Sequence, residues 1–381
     1  MGLLIKKILP VLILLILSGC AVTKIKLSVK ADNNAYTSFG NDPGRNFYSA
    51  VQISDSVRLL WSESVNGNFS HSSAAVYDEY LFVSDLSGRV YAFNALTGKK
   101  AGMLKSSGAV YTTPILDRFT VCFTTALIND NKSVLTIYDF DAGQIKAEKT
   151  FEGKSITNLV FDDQKIFILT ENGIAYCFDL NGSLLWERST GRNTHSTPAI
   201  IGNKICFGND KGEIILLDKN SGAQLYSKKY GSVFWSGITV KDNFIFTADE
   251  TGKLFMIDSQ DGSVKWIYKT NSRVNMNPVC DNENVYVGNL KGDFYSIRIF
   301  DGTLNWKTET RGSLSATPFV TDNIIIQPDL NKKILFIDRN NGVIRKELFL
   351  EGRAKLSPII FDDKLFIGYD NGVLEAYEFI Y

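Results

Sequence analysis

Short apolar runs separated by polar turns recur along almost the whole chain. In one stretch Lys204–Gly208 (KICFG) and Glu213–Asp218 (EIILLD) flank an Asn-Asp-Lys-Gly turn, and Gln224–Lys228 follows an Asn-Ser-Gly turn. Runs rich in Ile, Val, Phe and Tyr between clusters of Gly, Asn and Asp are typical of β-strands. The turn residues supply the positive φ that tight hairpins need. The pattern predicts an all-β protein.

The turn glycines repeat at a period of about forty residues, which indicates a repeat architecture. One series contains Gly88, Gly173, Gly212, Gly252, Gly292 and Gly372, and a second contains Gly98, Gly143, Gly182, Gly222, Gly262, Gly302 and Gly342. Each unit holds four strands, the content of one propeller blade. Units begin near Ser73, Thr113, Thr157, Thr197, Ser236, Asn277, Thr317 and Ser357. The sequence therefore predicts an eight-bladed β-propeller of four-stranded antiparallel blades.

The two ends of this repeat region predict how the ring closes. The eighth unit stops after its third strand, whereas Val57–Val65 (VRLLWSESV) precedes the first unit as an additional strand. Pairing this N-terminal strand with the last blade would remove an unpaired edge, which proteins avoid. We expect one domain over residues 57–381. A seven-bladed ring and an open solenoid are the alternatives.

The first twenty residues predict an export signal. Lys6 and Lys7 precede an apolar run, Ile8–Leu17, that is too short for a membrane span. Leu-Ser-Gly-Cys then resembles the bacterial lipobox, which implies that residues 1–19 are removed and that Cys20 is lipidated. An ordinary signal peptide that contains a cysteine is the alternative.

The segment between this signal and the ring is expected to be a tether. Ala21 beside the cysteine resembles the pattern for sorting to the outer membrane. Residues 20–56 begin with a polar stretch that has no strong period. We predict that they form the lipidated cysteine and a tether, and that deleting residues 21–45 is nearly harmless.

Composition excludes some functions and leaves the cysteines to be explained. The chain has 41 basic and 41 acidic side chains, so nothing favours nucleic-acid binding. Beyond Cys20 no cysteines have metal-ligand spacing. We expect the remaining cysteines to be buried as small apolar side chains. A disulfide, for which Cys177 and Cys206 in neighbouring blades are the best-placed pair, is the alternative. The four cysteines concerned are Cys122, Cys177, Cys206 and Cys280.

Catalytic motifs are lacking, but the two histidines share one repeat position. The chain has no nucleophile elbow, phosphate loop or zinc-protease motif. The position just ahead of each unit reads His71, Tyr111, Ser155, His195, Phe234, Asn275, Ser315 and Lys355. These residues should surround the channel mouth, where His71, Tyr111, His195, Asn275 and Lys355 are candidates for binding a small polar ligand. Eightfold geometry places blades one and four about 135° apart, so one metal is not expected to bind both histidines. Ordinary solvated loop residues are the alternative.

Four turn segments carry a family resemblance. Ala92–Gly98 (AFNALTG), Leu217–Gly222, Ile257–Gly262 and Ile337–Gly342 resemble the repeat of PQQ-type propellers. That family places an aromatic residue four positions after the turn glycine, where a large ring fills the wedge between twisted sheets. The position is held here by Trp186, Tyr226, Trp266 and Trp306, and the chain departs from the pattern at Gly102, Ala147 and Lys346.

The resemblance distinguishes two branches of this family. Quinoprotein dehydrogenases use a quinone, Ca²⁺ and an aspartate base, often with a disulfide of adjacent cysteines. This chain has no Cys-Cys pair and no matching aspartate. The lipobox, the length and the eight units are more similar to the non-enzymatic lipoproteins of the BamB family. This implies a periplasm-facing scaffold at the outer membrane, anchored through Cys20, without a cofactor, that binds protein partners in β-barrel assembly. A ligand-binding or degenerate quinoprotein is the alternative.

The same resemblance suggests where a partner binds. The resemblance implies that the partner contacts loops that enter the middle blades. In this chain those loops are Thr190–Thr197 and Gly231–Ser236. Arg192 lies near the place of the family's arginine, but the family's leucines are missing, so the resemblance is partial here. Two consecutive aromatics in a turn cannot both point into the core, and an exposed aromatic near an arginine is typical of an interface. The predicted partner-binding residues are Arg192, His195, Phe234 and Trp235.

Two alternatives compete with this surface. In the first, Trp235 fills the gap between blades and Phe234 caps the channel. In the second, the insertion Thr124–Ser133 in blade two is the partner-specific loop.

Overall fold

Eight sheets arranged as the blades of a ring confirm the predicted propeller. The computed structural model describes residues 24–29 and 35–381. The segment that precedes blade one contributes two strands, β1 (Ala35–Tyr36) and β2 (Val57–Ser64). Within each blade neighbouring strands pair antiparallel, and a short strand of two or three residues is the innermost one. In blade two this is the second strand in chain order. No helix among the described residues is long and apolar enough to cross a membrane.

The strands of blades one to four follow in chain order. Blade one contains β3 (Ala75–Tyr77), β4 (Tyr80–Asp85), β5 (Arg89–Asn94) and β6 (Lys100–Lys105). Blade two contains β7 (Gly108–Ala109), β8 (Ile115–Asp117), β9 (Thr120–Leu127), β10 (Lys132–Asp139) and β11 (Gln144–Glu152). Blade three contains β12 (Val160–Asp162), β13 (Lys165–Leu169), β14 (Ile174–Asp179) and β15 (Leu184–Ser189). Blade four contains β16 (Ala199–Ile201), β17 (Lys204–Gly208), β18 (Glu213–Asp218) and β19 (Gln224–Lys229).

The strands of blades five to eight repeat this order. Blade five contains β20 (Thr239–Lys241), β21 (Phe244–Ala248), β22 (Lys253–Asp258) and β23 (Val264–Lys269). Blade six contains β24 (Val279–Cys280), β25 (Asn284–Gly288), β26 (Asp293–Arg298) and β27 (Leu304–Glu309). Blade seven contains β28 (Phe319–Val320), β29 (Ile324–Asp329), β30 (Lys333–Asp338) and β31 (Ile344–Phe349). Blade eight contains β32 (Ile359–Phe361), β33 (Lys364–Tyr369), a 3₁₀ turn (Asp370–Gly372) and β34 (Val373–Phe379).

The N-terminal strand closes the ring as predicted. Strand β2 pairs antiparallel with β34, from Val57 opposite Phe379 to Ser64 opposite Val373. It thereby supplies the fourth, outer strand that blade eight lacks. Trp61 on β2 is buried and stands opposite Ala376. The first and last strands of the ring therefore form a single blade.

Tryptophans join neighbouring blades at four positions. Each indole packs against the turn glycine of the next blade, where a Cβ atom would come within about 3 Å of the ring, and each N–H donates to a backbone carbonyl nearby. The pairs are Trp61 with Gly98, Trp186 with Gly222, Trp266 with Gly302 and Trp306 with Gly342. The bonds are 3.0 Å to Ala95, 3.1 Å to Lys219, 2.8 Å to Ile299 and 2.9 Å to Arg339. The predicted inter-blade role of these aromatics is confirmed.

A second N-terminal segment, residues 24–29, packs between blades one and two; we call it the strap. Ile25 and Leu27 are buried in the cluster that joins these blades. The Leu27 N–H donates to the carbonyl of Phe140 at 2.7 Å, and the hydroxyl of Tyr138 donates to the carbonyl of Ile25 at 2.7 Å. The strap is therefore part of the folded ring.

Residues 35–53 close the end of the channel opposite its mouth, and we call them the plug. Strand β1 pairs with β3, and backbone N–H groups of other innermost strands donate to plug carbonyls. These bonds run from Leu116 to Thr37, Ile200 to Pro43, Val240 to Gly44 and Val320 to Phe47, at 2.8–2.9 Å. Phe39, Phe47 and Ile53 are buried. The expectation that residues 20–56 form a tether is wrong for the described part of that range.

Arg45 holds the plug in place from inside the ring. Its guanidinium is fully buried and donates to the carbonyls of Phe39 at 2.7 Å, Pro198 at 3.1 Å and Asn158 at 3.2 Å, and also to Leu159. Burial lowers the pKa of Arg45 to about 10, so the group is still protonated at neutral pH. One side chain thus links the plug to blades three and four.

The four described cysteines are buried and free. Cys177 belongs to the apolar cluster between blades three and four, whereas Cys206 belongs to the cluster between blades four and five. The sheet of blade four separates them, so the disulfide alternative is wrong and the expected burial as small apolar side chains is confirmed. Burial raises the pKa of Cys206 to about 12, which leaves its thiol protonated and unreactive.

Candidate functional site

The channel mouth opens into a small cup. The cup has a volume of about 220 Å³, and the plug residue Phe39 lies at its base. Its walls come from the segments that lead into the innermost strands. They carry His71, Ile156, Thr157, Asn158, His195, Thr197, Trp235, Gly237, Asn275, Asn277, Ser315, Ala316, Thr317 and Ser357. Because the plug closes the far end, the channel is a one-sided cavity.

The predicted ring of mouth residues is wrong by one position in two blades. Strands β12 and β20 begin at Val160 and Thr239, the positions that correspond to Ala199 in blade four. The residues equivalent to His195 are therefore Ile156 and Trp235, rather than Ser155 and Phe234. Both of these side chains line the cup.

Phe234 is a core residue. Its side chain is 0% exposed, its ring packs edge-on against Phe255 at 5.9 Å, and it lies over Gly208, where a Cβ would come within 2.5 Å of it. The assignment of Phe234 to a partner surface is wrong, because an interior side chain cannot contact a partner. The alternative that it caps the channel is wrong for the same reason.

Trp235 lies at the mouth, in a stack formed by three successive blades. The His195 ring lies 4.3 Å from the indole, and the Arg273 guanidinium lies 4.6 Å from it on a cation–π contact. The Arg273 Nε donates to Asn275 at 2.8 Å, which fixes the guanidinium over the indole. We call His195, Trp235 and Arg273 the rim stack. It holds Trp235 half-buried at the mouth, and the alternative that this indole fills the gap between blades is wrong.

Carboxylates flank the histidine of the rim stack. The Nδ1 atom of His195 lies 3.1 Å from Asp210 Oδ1, and its Nε2 atom lies 3.4 Å from Glu171 Oε1. The imidazole is thus oriented from both sides. Arg192 stands nearby on the loop into blade four with its side chain exposed. The structure therefore brings His195 and Trp235 into contact at the rim, and Arg192 lies three residues before His195 on the same loop.

The other predicted mouth residues divide into two groups. His71 and Asn275 line the cup, whereas Tyr111 and Lys355 are not among its lining residues. Enclosure by the surrounding walls, and then the charge of Lys355, lower the pKa of His71, so its imidazole is neutral at pH 7. Lys355 Nζ lies 3.8 Å from Asp370 Oδ1.

Neutral hydrogen-bonding groups dominate the inner wall of the cup. The Ser73 N–H donates to the Thr113 hydroxyl, the Thr113 N–H to the Asn158 amide oxygen, and the Asn277 N–H to the Thr317 hydroxyl, at 2.8–3.2 Å. These bonds join successive blades. Ser315 is buried at the wall, and its hydroxyl has no hydrogen-bond partner among the described residues. Within residues 24–29 and 35–381 no cluster of His, Cys, Asp and Glu could hold a metal ion.

The blade-two insertion lies away from the rim stack. It forms the β9–β10 hairpin, and Ile128 at its tip is 73% exposed. Strand β7 pairs with the C-terminal end of β9, through Gly108 opposite Leu127. The insertion is therefore an ordered projection with one exposed apolar side chain.

Comparisons with known proteins agree on the fold. The sequence profile of the family described as outer membrane protein assembly factor BamB matches residues 50–268 and 269–377. No curated protein sequence matches the chain. The crystal structure of BamB from Moraxella catarrhalis aligns with a TM-score of 0.73 at 16% identity, covering 85% of this chain and 100% of that one.

Propellers of other origins align equally well. The computationally designed Ika8 protein aligns with a TM-score of 0.73 at 14% identity, covering 87% of this chain and 99% of that one. The quinohemoprotein alcohol dehydrogenase ADHIIG from Pseudomonas putida HK5 aligns with a TM-score of 0.75 at 11% identity, covering 91% and 80%. Because enzymes and a designed protein share this architecture, these structural matches establish the fold alone.

Proposed function

Because the chain belongs to the family of the outer membrane protein assembly factor BamB, we propose that it is a non-enzymatic scaffold for outer-membrane β-barrel assembly. In this proposal the lipobox cysteine Cys20, which lies outside the described residues, carries a lipid. The lipid anchors the propeller to the outer membrane, facing the periplasm. The protein partner is a component of the barrel-assembly machinery.

The rim stack is the observation that carries the binding role. A tryptophan held between a histidine and an arginine presents a large, ordered and amphipathic surface at low conformational cost, as interface hot spots do. Arg192, exposed on the neighbouring loop, adds a charged group that a partner carboxylate could pair with. We propose that the partner binds at Arg192, His195, Trp235 and Arg273. Arg273 replaces Phe234 in the set of residues predicted from the sequence.

The cup does not fit the quinone chemistry of the related dehydrogenases. Ca²⁺ takes six to eight oxygen ligands in proteins, several of them carboxylates, and pyrroloquinoline quinone itself bears three carboxylates. None of the described residues that line the cup is Asp, Glu, Lys or Arg. The volume of about 220 Å³ is also below the roughly 300–1,000 Å³ of drug-sized ligand sites. The lining residues support the non-enzymatic proposal.

A small neutral ligand is the second candidate function. The unpartnered hydroxyl of Ser315 and the amides of Asn275 and Asn277 face a cavity without charged walls. Such walls suit a small neutral ligand with hydroxyl or amide groups. This role would use the cup, whereas the scaffold role uses its rim.

A paired substitution separates the rim from the rest of the ring. Arg192→Glu combined with Trp235→Ala is expected to reduce co-purification of the barrel-assembly partner at least about tenfold, because hot-spot side chains each contribute roughly 2 kcal/mol or more. Tyr111→Ala changes an aromatic at the same repeat position in blade two and should leave co-purification intact. The measurement is the amount of partner recovered with the detergent-solubilised lipoprotein.

Thermal unfolding of the same variants is the control. The paired variant should unfold within a few degrees of the wild type, since both side chains lie at the surface of the mouth. Undiminished recovery of partner, or an equal loss in Tyr111→Ala, would contradict the rim assignment.

A further inference from the structure

The strap replaces the missing inter-blade tryptophan between blades one and two. The equivalent residue on β6 is Gly102, and a Cβ there would come within 2.7 Å of the Ile25 Cα. The turn glycine of blade two, Gly143, is covered by the Lys26 side chain at 3.4 Å. In blades one, four, six and seven a tryptophan covers this glycine. The strap is therefore an ordered part of the outer circumference of the ring, and it fills the gap between blades one and two.

The position of the strap leaves very little free chain before it. Lys24 is its first residue, and its carbonyl lies against Gly102 on the outer strand of blade one. Cys20 precedes Lys24 by four residues. Four residues span at most about 14 Å when fully extended. A lipid on Cys20 would thus be tied closely to the outer edge of blades one and two.

The strap and the outer strand of blade one are strongly basic. The strap and residues 99–105, which include β6, contain no acidic residue. Their exposed lysines are Lys24, Lys26, Lys99, Lys100 and Lys105. Basic groups within a Debye length of an anionic lipid surface are attracted to it. The charge of the strap and residues 99–105 therefore complements anionic phospholipid headgroups.

We propose that the outer edge of blades one and two, comprising the strap and β6, is the membrane-facing surface of this protein. The strap acts as a short, rigid mount that holds this edge against anionic phospholipid headgroups. This inference rests on the lipid anchor of the proposed function. In an eightfold ring, blades five and six lie opposite blades one and two. Trp235 and Arg273, which lead into blades five and six, would therefore be turned away from the membrane.

Two matched fluorescent labels test this orientation. Thr97 and Asp261 are exposed, and each precedes the turn glycine of its blade, in blade one and in the opposite blade five. The Thr97→Cys and Asp261→Cys proteins would be purified with their lipid and placed in vesicles of phosphatidylethanolamine, phosphatidylglycerol and a headgroup-nitroxide lipid. The four described native cysteines are buried and should not react. We expect the blade-one label to be quenched at least about threefold more strongly, because a reach of about 14 Å cannot bring both sides to the surface.

A lengthened tether and a charge variant test the mount itself. Inserting about twelve Gly and Ser residues between Thr23 and Lys24 leaves the strap intact but makes the link flexible. The two labels should then be quenched almost equally, while vesicle binding is retained. Replacing Lys99, Lys100 and Lys105 with glutamine should reduce the difference on anionic vesicles. Vesicles of phosphatidylcholine alone should show a smaller difference with the unsubstituted protein.

The outcomes separate this inference from the function it rests on. Equal quenching of the two labels, or a difference that the inserted linker leaves unchanged, would overturn the mount alone. If the protein with Cys20 intact binds vesicles no better than Cys20→Ser, the lipid anchor fails, and the mount with it. Stronger quenching in blade five would also overturn the proposal, since it would place the opposite edge at the membrane.

Discussion

Deleting residues 21–66 is expected to make the protein insoluble. The deletion removes β2, the outer strand of blade eight, and with it the ladder of seven residue pairs to β34. Loss of a buried tryptophan such as Trp61 alone costs about 3–5 kcal/mol, against a typical total stability of 5–15 kcal/mol. The newly exposed edge of β34 would also be free to pair with other chains.

A shorter deletion provides the control. Removing residues 21–34 takes away the strap but leaves the plug and β2, so the protein should stay soluble with a lower melting temperature. The measurements are the soluble fraction and thermal unfolding of the two deletions. Equal solubility and equal melting temperatures would show that β2 is not required for closure.

Arg45→Ala is expected to cause the largest loss of stability of any single substitution considered. The guanidinium is the common donor to carbonyls of the plug and of blades three and four. Without it these buried acceptors lose their partners and a cavity forms, for an expected cost of about 3–5 kcal/mol. The free energy of unfolding from a denaturant titration measures this cost directly.

Two control substitutions show whether the loss of stability comes from the N–H donors of the buried Arg45 guanidinium. Arg45→Lys keeps the charge but not the planar set of donors, so it should restore only part of the stability. Arg188→Ala removes an arginine that is exposed and donates to one carbonyl, at Gly222, and should cost less than about 1 kcal/mol. If the Arg45→Ala protein is as stable as the Arg188→Ala protein, Arg45 does not hold the plug in place. Because Arg45 lies within residues 21–45, we now expect deletion of that segment to destabilise the protein. The prediction from the sequence was that this deletion is nearly harmless.

The repeat pattern was sufficient to predict the fold, because every blade carries its own strands and turn glycines. It failed in blades three and five. A proline directly precedes the innermost strand in five of the eight blades, whereas Leu159 and Ile238 stand there in blades three and five, so the register was set one residue too early. The resulting shift by one residue changes which side of a strand a side chain faces. That shift placed the core residue Phe234 at the mouth.

The strap and the plug could not be predicted from periodicity. Their contacts are mostly backbone hydrogen bonds and irregularly spaced apolar side chains, such as Ile25, Phe39 and Phe47. Because such contacts leave no periodic pattern, the sequence of these segments looks like that of a tether. Arg273 was missed because nothing local distinguishes it, although a corrected alignment places it one blade from Trp235 at the same rim.

Site-specific photo-crosslinking tests the scaffold proposal most directly. Asn193 and Arg353 are exposed and occupy equivalent positions at the mouth, on the loops into blades four and eight, which lie on opposite sides of the ring. A photoreactive amino acid would be placed at each position in turn, in cells that make the full-length protein. The account predicts a crosslink to a barrel-assembly component from position 193 and none from position 353. Absence of that crosslink from position 193, in a protein that still fractionates with the outer membrane, would contradict it.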